Sequence, residues 1–168
     1  APIQRSIMNG DILFGITTFL INNKVDRGII IKQKEILFNS NEDYTSIKKV
    51  LSKEGATLVL NSINNITKEE TFVKQNNINA SYAPKILKSE YRINLMKSSK
   101  NAHNKIRALT MLGCYTYFES KRIKLFNTYY STNNIKNLKI GEFTLTKDRQ
   151  LLIGCKSGTL IANQVQLE

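Results

Sequence analysis

Cysteine, histidine and acidic residues are scarce in this 168-residue chain, and tryptophan is absent. Cys114 and Cys155 are the only cysteines and lie far apart, so they form neither a disulfide framework nor a paired-cysteine zinc site. No metal is expected, and a reduced, cytoplasmic setting fits such cysteine usage. No run approaches 18 apolar residues, which leaves no membrane span. The most apolar window, residues 12–21, is short and broken by Gly15, Thr17 and Thr18. No secretory leader is expected, and residue 1 is not Met. The chain opens at Ala1 in mid-pattern, as a fragment or trimmed chain would. What remains is 41% hydrophobic, enough for a packed core in one ordinary domain or two small ones. A monomer is expected.

The scarcity of acids is uneven. The 25 Lys and Arg outnumber the 13 Asp and Glu, giving a formal charge of +12. Residues 1–78 hold 10 basic and 8 acidic side chains, whereas residues 79–168 hold 15 and 5. Six of the cations are Arg and 19 are Lys, a bias that A/T-rich coding can produce alone. Coding bias does not explain why the excess collects in the second half. That asymmetry points to a polyanionic partner for it, with nucleic acid the first candidate.

The halves also differ in pattern. Residues 15–21 are β-branched and aromatic, and read as a strand buried on both sides, as in an α/β sheet. Turn residues follow at 22–24 and 26–28, and a strand resumes over 28–36. The acids and amides of 39–43 then cap a helix expected over 43–64, whose apolar residues include Tyr44, Ile47, Leu51 and Leu58. Residues 68–80 are polar and aperiodic and read as a linker. Beyond them, Ser98 or Ser99 caps a helix through Leu109. Strands are expected at 114–119, 122–130, 141–145, 151–155 and 159–165, a spacing that fits a small β-barrel or meander.

These residues carry a resemblance. The run Ala1-Pro2-Ile3-Gln4-Arg5-Ser6, then Gly10-Asp11, Gly15-Ile16-Thr17 and Val25-Asp26-Arg27-Gly28, resembles the second half of a folate-dependent formyltransferase domain. Tyr82-Ala83-Pro84-Lys85-Ile86-Leu87-Lys88-Ser89-Glu90 and Ile106-Arg107-Ala108-Leu109 resemble the linker and carboxy-terminal domain of methionyl-tRNA formyltransferases. The resemblance implies a partial Rossmann-like α/β formyltransferase domain over 1–71. It further implies a linker over 72–90 and an OB-like, mainly β, tRNA-binding barrel over 91–168. The implied chemistry moves a formyl group from 10-formyltetrahydrofolate to the methionyl amino group of initiator tRNA. Such a site needs proton transfer from the attacking amine and donors for an oxyanion. Asp26 matches the family's catalytic Asp, and the turn Asn23, Lys24, Val25 matches the segment against the pterin ring.

The departures are equally specific. The family's Asn and His and its Ser-Leu-Leu-Pro loop have no counterpart in residues 1–168, and His103, on the second-half helix, is read as an ordinary surface or half-buried histidine. Residues 1–168 alone are therefore expected to lack transferase activity. Arg27 stands where Thr is usual, Ile29 where a second Asp is usual, and Met111 and Gly113 at two Pro positions.

For RNA, Lys85, Lys88, Arg92, Lys105 and Arg107 are the first candidates, with Lys121, Arg122 and Lys124 behind them. Tyr82, Tyr91, Tyr115, Tyr117, Tyr129 and Tyr130 interleave with them. Tyr115, Tyr117 and one of the pair at 129–130 are expected in a barrel core rather than on bases. Two other readings stay open. One is a relative that formylates a sugar nucleotide or hydrolyses formylfolate. The other is a non-catalytic, basic RNA-binding remnant.

Overall fold

The computed structural model describes residues 1–67, 72–76, 78 and 80–168. Helix α1 (Pro2–Asn9) opens the chain. Pro2 is tolerated in its first turn, where the backbone N–H has no intrahelical acceptor. Gly10, at φ 88°, ends it by donating to the carbonyls of Ser6 and Ile7. The motif reading of residues 1–11 does not include this helix, although Pro2 and Gly10 mark both its ends.

Strands β1 (Leu13–Phe19) and β2 (Ile30–Leu37) form an antiparallel hairpin, with Leu13 opposite Leu37 and Phe19 opposite Ile30. This corrects the expectation of a strand buried on both sides. Phe14 is buried and Ile16 and Thr18 are half-buried, while Leu13, Gly15 and Thr17 are exposed. The alternation follows from one covering layer: helix α2 (Tyr44–Thr67) packs on the hairpin. Gly55 faces Ile16 across this contact, at a distance where a Cβ would make ordinary van der Waals contact. Asp43 caps α2 by accepting from the Ser46 N–H at 2.8 Å, as its sequence position implies.

The aperiodic stretch 68–80 falls partly outside the described residues. Within it, Val73 pairs with Ile30 through two backbone hydrogen bonds, and Gln75 donates to the Gly28 carbonyl. A 3-10 turn (Lys88–Tyr91) precedes helix α3 (Ser99–Ala108), which Ser98 caps by accepting from the Asn101 N–H. Five strands follow: β3 (Cys114–Phe118), β4 (Lys121–Ser131), β5 (Phe143–Leu145), β6 (Leu151–Gly154) and β7 (Thr159–Leu167). All lie within two residues of their expected bounds. They hydrogen-bond antiparallel in the order β3-β4-β7-β6-β5, a curled sheet with no ladder between β3 and β5 among the described residues. The two edges meet through the rings of Phe118 and Phe143, 5.1 Å apart.

The halves share one core. Ile7 and Ile47 from the first join Ile106, Leu125, Ile153 and Leu160 from the second in a single buried cluster. Each such side chain contributes about 1.5–3 kcal/mol on burial. Both cysteines are free and buried, and burial pushes the Cys114 thiol up to about 12, so it is chemically quiet.

Candidate functional site

The turn between β1 and β2 carries the first set of expected site residues. Asn22 builds it, accepting from the Lys24 N–H at 2.9 Å and donating to the Arg27 carbonyl at 3.1 Å. Gly28 is required because a Cβ there would lie 1.6 Å from the Leu20 carbonyl oxygen. Asp26 sits in left-handed backbone at φ 53°. Asn23, Lys24, Val25 and Asp26 are all exposed, Val25 at 88%. The turn thus offers an apolar side chain, backbone edges and a carboxylate to anything laid against it. His103 is on α3, away from this hairpin in the chain, and bonds elsewhere.

A second construction fixes the segment carrying Lys85 and Lys88. Arg5, on α1, holds Glu90 through two hydrogen bonds of 2.5 and 2.8 Å. The same guanidinium donates to the carbonyls of Pro84 and Lys85, and the Ala1 backbone nitrogen donates to the carbonyl of Ala83. Glu90 also accepts from the Leu87 N–H at 2.9 Å. The Arg5 hydrogen bond, ahead of that backbone bond, holds the Glu90 carboxyl well below its ordinary value, at about 2. Lys85 and Lys88 stand exposed on this anchored segment. Nothing local in the sequence announces the pair, since its members lie 85 residues apart.

A third arrangement lies on β3 and β4. Ile93 donates to the Tyr115 carbonyl at 2.8 Å, which lays Arg92 beside β3. The Arg92 guanidinium lies 5.4 Å from the Tyr117 ring centre. Tyr117 meets Tyr115 edge to face at 5.9 Å, and Tyr115 carries Arg122 at 3.9 Å. Register explains the stack. Tyr115 pairs with Lys124 and Tyr117 with Arg122, so all four share one face and Arg122 reaches its diagonal neighbour. Lys88, Tyr91, Tyr115, Arg122 and Lys124 line an adjoining cleft of about 360 Å³. Glu168 pairs there with Lys124 and, at 2.8 Å, with Arg122, and the Lys124 hydrogen bond lowers its carboxyl pKa. Alternating rings and guanidinium planes are chemically suited to stacking on flat rings and pairing with anions.

This stack corrects the placement of the tyrosines. Tyr117 and Tyr129 are 46% and 47% exposed, while Tyr115 and Tyr130 are half-buried. On β3 the inward positions belong to Cys114 and Thr116, both buried.

Arg107 is also corrected. It is 5% exposed, and all its donors turn inward: Nε to Asn104 Oδ1 at 3.0 Å, Nη1 to the Glu42 carbonyl at 2.8 Å and Nη2 to the Ile7 carbonyl at 3.3 Å. It satisfies carbonyls in the last turn of α1 and just before α2, which leaves it little exposed surface. Lys105 is partly withdrawn, being half-buried with Nζ donating to the Arg92 carbonyl.

His103 is buried rather than half-exposed. Its Nδ1 lies 3.1 Å from Thr128 Oγ1, and its Nε2 has no partner among the described residues. Burial, with Arg107 adding to it, lowers its pKa to about 4.

Residues 85–168 match the family model "Formyl transferase, C-terminal domain". The whole chain is 32% identical to methionyl-tRNA formyltransferase of Caldicellulosiruptor saccharolyticus and 31% identical to that of Ehrlichia canis, covering 54% of each. The chain spans about half the length of these curated relatives. Among solved structures, an N-formyltransferase from Helicobacter canadensis, in complex with folinic acid and dTDP-3-aminofucose, superimposes with a TM-score of 0.72 at 24% identity. That likeness spans 97% of this chain and 59% of the other, and it shows the fold alone.

Proposed function

The chain belongs to the formyltransferase family, and from that premise we propose that it serves initiator methionyl-tRNA as the RNA-holding half of a methionyl-tRNA formyltransferase, using 10-formyltetrahydrofolate as formyl donor. One observation carries the reading: the guanidinium–tyrosine stack of Arg92, Tyr117, Tyr115 and Arg122 stands in the half that matches the family's carboxy-terminal domain. Beside it lie Lys88 and Lys124 in one cleft, and the anchored Lys85 segment leads into it. A sugar nucleotide or free folate does not call for such a surface. The curled sheet is taken, on this reading, as an OB-like RNA platform, with residues 72–90 leading into it.

The Asp26 turn is taken as the folate-facing part. The exposed Val25 and the turn backbone suit a flat heterocycle with hydrogen-bonding edges. The donor, when bound, supplies the formyl group. Asp26 would then hold or orient a proton acceptor near the attacking amine. The sole histidine is buried under Tyr130 and bonded to Thr128, so it is not that acceptor.

Fluorescence anisotropy with labelled initiator methionyl-tRNA tests the reading. Binding is expected, undisturbed by an excess of a dTDP-amino sugar. Reversing Lys85 and Lys88 to Glu is expected to weaken it on the order of tenfold or more, by lost phosphate contacts and added repulsion. Displacement by the sugar nucleotide, or an unchanged Kd in the reversed variant, rules the reading out.

A further inference from the structure

Between α1, the 3-10 turn and α3 lies a cavity of about 340 Å³ lined by three cations and three asparagines beside Glu90, Met8 and Ala102. Arg5, Lys97 and Lys105 line it, against a single acid, Glu90. Glu90 is already held by the Arg5 fork and the Leu87 N–H. Three cations against one acid leave an excess of two positive charges.

The neutral groups point the same way. Asn94 spends its side-chain oxygen on the Met96 N–H, and Asn101 spends its own on the Ser98 hydroxyl. Both side chains line the cavity, and each keeps an NH2 group with no acceptor among the described residues. Lys105 commits one ammonium proton to the Arg92 carbonyl and keeps two. Burial lowers the Lys105 ammonium pKa, against the raising effect of Cys114 and Glu90, and neighbouring Lys97 and Arg5 lower it further.

An excess of two positive charges with spare N–H donors is the chemistry that binds an oxyanion. We propose that this cavity is a phosphate-binding site, with Lys97 and Lys105 as its charged donors and Asn94 and Asn101 as its neutral ones. It is separate from the Arg92–Tyr117–Tyr115–Arg122 stack and does not depend on the tRNA reading. The phosphate is either a free phosphate group or one phosphodiester of a bound RNA backbone.

The test follows the Asn94 and Asn101 side-chain NH2 resonances in ¹H–¹⁵N spectra of the full chain in chloride buffer. One arm adds inorganic phosphate, the other tRNA. A saturable shift with inorganic phosphate supports a site for the free anion. A shift with tRNA alone supports the site with the RNA backbone as the source. In either case Lys97→Gln, at an exposed position that should not disturb folding, is expected to weaken the effect about tenfold, the loss of one charge-assisted hydrogen bond. Lys105→Gln should do the same wherever the chain still folds. Silence of both resonances in both arms, or wild-type titration in Lys97→Gln, overturns the proposal.

Discussion

Arg107 joins three parts of the chain through one guanidinium. Its partners belong to α1, to the loop before α2 and to α3 itself. Replacing it with Met keeps the aliphatic volume but strands two backbone carbonyls and the Asn104 oxygen. Hydrogen bonds from a charged donor contribute about 1.5–3 kcal/mol each, and part of that is recovered by relaxation. Arg107→Met is therefore expected to lower unfolding free energy by about 3 kcal/mol, read from urea denaturation, with tRNA affinity per folded molecule unchanged. A variant as stable as wild type that binds tRNA more weakly would put Arg107 back on the RNA face. The sequence places Arg107 on a helix between Ile106 and Ala108 but not the direction of its side chain, because its acceptors lie 65 and 100 residues away. Asp26 was more legible. Its place in a tight turn is written in Asn22, Asn23 and Gly28, whose side chains, or lack of one, act locally.

At the scale of elements, α3 and the β-sheet are joined partly through His103. Its Nδ1 bonds Thr128 on β4, and its ring lies 5.4 Å from that of Tyr130. In the folded chain its pKa is about 4, below the ordinary 6.5, because burial opposes the charged form. The unfolded chain therefore binds this proton more readily. The contribution is fully present above pH 6.5 and is lost as pH falls through 6.5 toward 4. Stability is expected to fall over that window by up to about 3 kcal/mol. In His103→Gln this part of the slope should be gone. A pH profile identical in both proteins would mean that His103 titrates as if exposed.

Strands β3 to β7 were readable because turn residues separate short β-branched and aromatic runs. The pairing of β1 was not. Residues 15–21 are apolar enough for a two-sided strand, and only the partner, the adjacent β2, makes it an antiparallel hairpin with one covered face. Helix α1 was hidden for a different reason: eight residues opened by Pro2 give little periodicity, and its burial rests on α3 far along the chain.

Across the whole molecule, the +12 charge resolves into a nearly balanced first half and a basic second half, with the surplus around β3, β4 and the segment before them. The two halves nevertheless share a core. The formyltransferase match to residues 85–168 coincides with the basic half. The central claim is that this half holds RNA through the stacked guanidinium–tyrosine surface. The most direct measurement is the salt dependence of initiator tRNA binding, in wild type and in Arg92→Gln/Arg122→Gln. Each phosphate neutralised contributes a slope of about −0.9 in log K against log salt on duplex and about −0.7 on single strands. Wild type is expected to bind with a steep slope, and the double variant to bind more weakly with a slope shallower by about 1.5. Equal slopes and equal affinities in the two proteins would contradict the claim.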